Sequence, residues 1–378
     1  MNIGIDIRPL MTTSRTGVGE YTFELLNAIF SIDTTNQYFL FYNSFSDVSK
    51  NIPRWAQNNV HYVATHWPNK IFNAGILLGL IKLDRVIARR AGIRLDYFFA
   101  PNIGCLALSK NTKLILTAHD LSFEFFPHFY TTKTRLWHRI INPKKLCERA
   151  NIILAPSENT KLDIVNHYQI PTEKITVIYP GLSSAFVSPT PAQISDLQKK
   201  YHLPRSFILF LGTIEPRKNI IGLIEAFEKA YPNLSEPYHL IIAGAAGWKN
   251  KTIYDRAEHS PLHDKIQFIG YVTPDEKPAL YVSAGLFVYP SFYEGFGFPI
   301  LEAMASGIPV ITSNRSSLTE IGASVNTLIN PNNISELAAT MTVILRNKKT
   351  NAPLGDVGQI IKKFNWQDAT NTFLGKLK

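Results

Sequence analysis

The chain has 378 residues, a formal net charge of +10, and a composition that is 45% hydrophobic and 18% charged. That length exceeds the ~250–300 residues at which one hydrophobic core stops growing, so two domains are expected, and the composition excludes a disordered chain. Cys105 and Cys147 are the only cysteines and form no C-x-x-C pair, which argues against a disulfide framework or a structural zinc site and fits a reducing compartment.

The basic balance favours anionic partners: nucleotide diphosphates, acidic lipid or nucleic acid. The sequence holds no ribonucleoprotein aromatic motif, zinc finger or basic heptad region, so no nucleic acid is expected among them. At the N-terminus, Ile3, Ile5 and Ile7 alternate with Asn2, Gly4 and Asp6. This is a strand rather than a signal peptide, and a cytoplasmic protein is expected.

After a loop from Arg8 to Thr16, Gly17, Val18 and Gly19 open a helix. Thr22 stands where a dinucleotide motif has its third glycine, so a nicotinamide site is not expected. Tyr38–Tyr42 and His61–Ala64 read as strands. From Lys70 to Arg90 an apolar half is followed by a basic one, and the apolar half is too short for the roughly 20 residues of a bilayer span. Two readings stay open: a packed helix with a solvated basic end, or a helix lying in an anionic membrane surface through Lys70, Lys82, Arg85, Arg89 and Arg90. Arg135, Arg139, Lys144 and Lys145 add charge to the same half.

Tyr97–Ala100 and Leu114–Thr117 are further strands, and the second runs into His119 and Asp120. A histidine at the carboxyl end of a parallel strand stands at the sheet's ligand edge. His259 and His263 have metal-pair spacing, but Pro261 between them breaks a helix, so no metal is expected there. Asn151–Ala155 is a strand, Ser157 caps a helix reaching about Tyr168, and Ile175–Tyr179 ends at Pro180 and Gly181. The polar stretch from Ser183 to Ser195, with two prolines, reads as a linker, which puts the domain boundary near Leu182.

The second half opens as the first did: strand Phe207–Leu211, turn Gly212, then E-P-R-K-N leading into a helix from Asn219. Arg217 and Lys218 oppose the helix dipole, so a merely solvated basic turn is unusual; cations at a strand's carboxyl end suit a diphosphate. His239–Gly244 and Ile266–Ile269 are strands, and Pro274–Ala284 a helix. The stretch from Gly285 to Asn314 then reads strand, loop, helix, strand, with Pro299 in the helix's first turn and Gly307 past its end. Its loop sets Glu294 and Glu302 around Gly295, Phe296 and Gly297. Bare backbone N–H groups at a helix start attract a phosphate, while a carboxylate accepts two hydrogen bonds from a vicinal diol. Together they want a nucleotide joined to a sugar. The plainer alternative is that Glu302 only complements the helix dipole and Glu294 is solvated.

Glu294 and Glu302 with G-F-G-F-P-I-L between them, followed by A-M-A-S-G-I-P-V-I, resemble the signature of the retaining glycosyltransferases of family 4. The resemblance implies an α/β chain of two facing Rossmann-like doubly wound parallel-sheet domains, the GT-B fold. It assigns 1–182 to an acceptor-binding domain, 183–360 to a nucleotide-sugar-binding domain and 361–378 to a terminal helix closing the C-terminal region. By the same resemblance, His119 stands at the donor sugar, and Gly17 and Gly19 lie near the donor phosphates and the acceptor. Gly212, Tyr271, Gly295, Phe296 and Gly297 line the donor, Tyr271 near the base. Glu302 holds the ribose, Glu294 the sugar hydroxyls, and Arg217 with Lys218 the diphosphate. Thr213 stands where many members carry an arginine, and Arg217 takes that place. The chain has no D-x-D pair, so neither metal nor other cofactor is expected beyond the nucleotide sugar itself.

G-T-I-E-P-R-K-N resembles bacterial mannosyltransferases of O-antigen assembly, which implies GDP-mannose as donor and a saccharide or lipid-linked saccharide as acceptor; the basic first half suits a lipid-linked acceptor and a place on the inner face of the cell membrane. The competing readings are an epimerase or phosphorylase of the same fold, and a non-catalytic membrane or nucleic-acid binder.

Overall fold

Strands buried on both faces of a parallel sheet are apolar along their whole length, and Phe207–Leu211 and Leu286–Tyr289, both buried throughout, are such strands. The structure, a computed structural model, describes residues 1–13, 15–183, 186–322, 327–347 and 354–377. By its internal contacts the chain divides into two units, the first of Met1–Leu121, Lys133–Pro180 and Asn365–Lys378, the second of Ser122–Thr132 and Gly181–Phe364.

The first unit holds β1 (Asn2–Asp6), β2 (Gln37–Asn43), β3 (Val60–Thr65), β4 (Tyr97–Ala100), β5 (Lys113–Thr117), β6 (Ile152–Ala155) and β7 (Ile175–Val177). They form one parallel sheet in the order β3-β2-β1-β4-β5-β6-β7. The second holds β8 (Phe207–Leu211), β9 (His239–Ala243), β10 (Ile266–Gly270), β11 (Leu286–Tyr289), β12 (Val310–Ser313) and β13 (Thr327–Ile329), also parallel, in the order β10-β9-β8-β11-β12-β13. Both orders run outward, return to the middle, and run outward the other way. A ligand crevice therefore opens where the direction reverses, beyond the carboxyl ends of β1 and β4 in one unit and of β8 and β11 in the other.

Helices cover the sheets by ordinary amphipathic logic. In Gly17–Ile32, capped by Thr16, the residues Tyr21, Leu25, Leu26, Ile29 and Phe30 recur at helical spacing and are buried. Each such side chain contributes roughly 1.5–3 kcal/mol of transfer free energy. In the second unit Ile220–Ala230 does the same with Ile220, Leu223, Ile224 and Phe227.

Four expectations change. The segment 70–90 is two helices, Asn69–Leu77 and Leu83–Ala91, because Gly79 at φ +71° turns the chain and the Gly75 carbonyl accepts from Leu80 and Ile81. The stretch read as a linker contains helix Pro191–Lys200: Thr190 and Gln193 form a capping box, and Pro191 occupies the first turn, where its missing N–H costs nothing. Ser184 and Ala185 of that stretch lie outside the described residues, as does Ser14 of the first loop. The terminal helix Trp366–Gly375 belongs to the first unit, with Trp366 against Tyr21 (5.7 Å between ring centroids) and Phe373 against Phe99 (5.1 Å). Its apolar face finds its core there. Lastly, Ser122–Thr132 joins the second unit although it precedes the expected boundary at 182.

Candidate active site

The crevice of the second unit lies between the ends of β8 and β11, whose pairing sets Leu286 level with Ile208 and Phe287 with Leu209. Register alone thus brings the turn after Leu211 beside the loop after Tyr289. Gly212 leaves β8 hydrogen-bonded to the Ala243 carbonyl. Gly244, at φ +143°, passes so close that an added Cβ would stand 1.9 Å from the Gly212 carbonyl oxygen, so no other residue fits there. Pro216–Lys218 forms a 3-10 turn that Asn219 ends in the left-handed region, which carries the Lys218 side chain inward.

Inside the crevice a single carboxylate gathers both cations. Arg217 Nη1 donates to Glu294 Oε2 (2.7 Å) and to the Tyr293 carbonyl (2.6 Å), and its Nε and Nη2 donate to Glu215 Oε1 (3.1 and 2.7 Å). Lys218 Nζ donates to Glu294 Oε1 and to the Tyr289 hydroxyl, both at 2.6 Å. Lys218 and Glu294 are buried, 7% and 6% exposed, and so is Glu215. Two acids and two bases balance, as a buried cluster must. Burial opposes the charge on Glu294, but Arg217 and Lys218 outweigh it and hold the pKa down to about 2. Burial pushes the Lys218 pKa down, with Glu294 opposing, and pushes that of Glu215 up against the pull of Arg217.

The loop after Glu294 is pinned by hydroxyls. Ser316 Oγ accepts from the Glu294 N–H (2.9 Å), and Ser317 Oγ donates to the carbonyls of Glu294 and Phe296 (both 2.8 Å). Gly297 has φ +120° and precedes helix Phe298–Ala305; an added Cβ would stand 2.9 Å from Leu318 Cδ2. Glu302, in that helix, is 7% exposed and carries its own cation: Lys277 Nζ donates to Oε1 (2.7 Å) and the Tyr281 hydroxyl to Oε2 (2.8 Å). Aromatic side chains of 122–132 back the loop, Phe129 stacking on Phe292 (5.5 Å) and Phe126 against Tyr293 (5.7 Å), while Trp248 Nε1 donates to the Phe129 carbonyl. Tyr271 is 39% exposed at the end of β10, two strands from β8.

The remaining expected residues belong to the first unit. His119 follows β5, its Nε2 is 2.8 Å from the Pro101 carbonyl after β4, and its ring meets Tyr21 edge-on at 4.8 Å. Burial lowers its pKa against the Pro101 hydrogen bond and Asp120, which keeps the imidazole neutral at pH 7. Gly17 and Gly19 begin the helix after β1; the space beside Gly17 is open, and a Cβ on Gly19 would stand 3.2 Å from the Pro9 carbonyl oxygen. Beside them Arg8 binds Asp6 (2.6 Å) and the Cys105 carbonyl (2.9 Å).

The sequence named Arg217, Lys218, Glu294 and Glu302 for one donor pocket; the structure joins the first three in one cluster and pairs Glu302 apart from them, with Lys277 and Tyr281. The sequence reading missed Glu215, Tyr289, Lys277, Tyr281, Ser316 and Ser317. Only the four-residue spacing of Lys277 and Tyr281, which sets both on one helix face, could have signalled any of them.

Two family models match in succession, Glycosyltransferase Family 4 over residues 17–186 and Glycosyl transferases group 1 over residues 194–359. The chain belongs to this glycosyltransferase family. Among its relatives, the Escherichia coli O-antigen chain mannosyltransferase B is 29% identical over 380 residues, covering 96% of each chain. The serotype-specific mannosyltransferase WbdA of Escherichia coli is 30% identical over 240 residues, 62% of this chain and 29% of that protein. Among solved structures, Anabaena HepE in complex with UDP and glucose matches 100% of this glycosyltransferase and 98% of that chain, with a TM-score of 0.75 at 19% identity. That likeness is one of fold, and the fold is GT-B.

Proposed function

We propose that this glycosyltransferase moves mannose from GDP-mannose, with retention of configuration and without a metal ion, to a saccharide or lipid-linked saccharide acceptor of a cell-surface polysaccharide. The observation that carries the reading is the buried cluster of Arg217 and Lys218 on Glu294 at the crevice of the second sheet. In the reaction the bond from the sugar C1 to the diphosphate oxygen breaks and its electron pair stays with the diphosphate. Lys218, whose ammonium has a third N–H beyond its two partners here, meets that growing charge with Arg217 behind it. The acceptor oxygen bonds to C1 on the face just vacated, and its proton passes to the leaving phosphate oxygen. Glu294 accepts from the sugar hydroxyls, Glu302 from the ribose diol, and Gly295, Phe296 and Gly297 offer backbone to the donor. Tyr271 stands at the base, Gly212 lets the diphosphate approach the end of β8, and Gly17 and Gly19 do so on the acceptor side. Neutral His119 serves a donor-sugar hydroxyl. Fixed cations supply the charge a metal would bring, which supports a metal-independent reaction.

An anionic membrane is the proposed platform. No helix among the described residues is long and apolar enough to cross a bilayer. Ile71, Leu78 and Leu80 (61%, 73% and 79%) and Lys70, Arg85, Arg89 and Arg90, all within residues 70–90, are instead exposed. Liposome flotation tests it: reversing Lys82, Arg85, Arg89 and Arg90 to Glu releases the protein from anionic vesicles, and unchanged flotation refutes the platform. The donor reading is tested by a thermal-shift panel of UDP, GDP, ADP and their sugars. GDP and GDP-mannose give the largest shifts if it holds; a larger shift with another base overturns the donor.

A further inference from the structure

Glu302 is the one acid of the donor loop that neither Arg217 nor Lys218 contacts, and its two oxygens are held from a single helix. Lys277 and Tyr281 lie one turn apart on helix Lys277–Ser283, so their side chains share a face and reach Oε1 and Oε2 together, at 2.7 and 2.8 Å. Tyr281 is fully buried, with its ring against Phe287 and Phe186, so its hydroxyl has little freedom to leave the carboxylate. From the geometry we infer that Lys277 and Tyr281 are positioning residues that fix the orientation of Glu302 for a ribose diol, and so set this enzyme's preference for ribonucleotides. The inference rests on the reading of Glu302 as the diol acceptor.

Four physical steps support it. A free glutamate carboxylate rotates about its last torsion, so a two-point hold at both oxygens supplies the order that two simultaneous hydrogen bonds from a diol require. A carboxylate offers about four lone-pair sites; the hold uses two, and the others remain for the two hydroxyls. A bare carboxylate near a diphosphate repels it, and Lys277 cancels that charge without removing the acceptor. Burial and the neighbouring Glu302 charge push the Tyr281 pKa well above its ordinary value, so the phenol remains a donor throughout the working pH range.

The test is isothermal titration of GDP, UDP and their 2′,3′-dideoxy forms into the wild type and into Glu302→Gln, Lys277→Met, Lys277→Arg and Tyr281→Phe. In the wild type the ribonucleotide binds more tightly than its dideoxy form, and Glu302→Gln abolishes the difference. Lys277→Met and Tyr281→Phe each weaken ribonucleotide binding about five- to tenfold, leave dideoxynucleotide binding unchanged, and Lys277→Arg restores most of the loss. Equal losses for both forms in Lys277→Met and Tyr281→Phe, or no loss, refute the positioning role while leaving Glu302 as the diol acceptor. Should Glu302→Gln itself fail to separate the two forms, or neither nucleotide bind, the diol reading falls and the inference with it. Lys277 is partly exposed and its replacement by Met keeps the chain's bulk, so that variant decides the matter if Tyr281→Phe does not fold.

Discussion

Replacing Glu294 by Gln removes the charge that two buried cations share, and its cost can be worked two ways. The carboxyl pKa falls from 4.5 to about 2, which at about 1.4 kcal/mol per unit corresponds to roughly 3 kcal/mol of folding stability. Removing one partner of a buried pair costs about 3–5 kcal/mol in general. Burial lowers the Lys218 pKa, so its own desolvation offsets part of this, and the expected net loss at pH 7 is about 2–3 kcal/mol. Because the folded pKa is depressed, the contribution is complete above pH 4.5 and disappears as pH falls toward 2. Urea unfolding of wild type and variant, followed at several pH values, measures it. The expected midpoint shift is about 1 M at neutral pH, constant from pH 8 down to about 5 and shrinking below. A variant as stable as the wild type at pH 7, or a difference that grows on acidification, refutes the reasoning.

Three further outcomes follow from the two units' sites. Gly297→Ala forces a Cβ to 2.9 Å from Leu318 at φ +120°, which costs about 1–3 kcal/mol and lowers the melting temperature; a melt matching the wild type contradicts the argument. His119, with a pKa held below 6.5 by burial, stays neutral as pH falls through that value, so kcat/KM shows no acid limb between about pH 6.5 and 8. His119→Ala lowers kcat by about a hundredfold, and an unchanged kcat removes the role assigned to the ring.

Much of this was legible in the sequence because parallel strands buried on both faces have to be apolar throughout. Phe207–Leu211 was bounded correctly to the residue for that reason. Arg217 and Lys218 stood out because cations at a helix start contradict local preference, which needs a tertiary cause, and Glu294 because it stands with Glu302 around a glycine turn. Glu302 was legible as an acid near the loop, but its cation was not: Lys277 is ordinary on its own helix and gains meaning only when two helices pack. Pro191 misled because proline punctuates loops as readily as it begins helices. Ser122–Thr132 gave no signal, since only the folded chain reveals which core Phe126 and Phe129 join.

The central claim, that cations and acids of the second unit hold a nucleotide diphosphate sugar, is tested most directly by titrating GDP-mannose into the wild type and Lys218→Met. The account predicts saturable binding to the wild type, weakened at least about tenfold by the loss of the ammonium. Absence of binding to the wild type, or equal affinity in the variant, contradicts it.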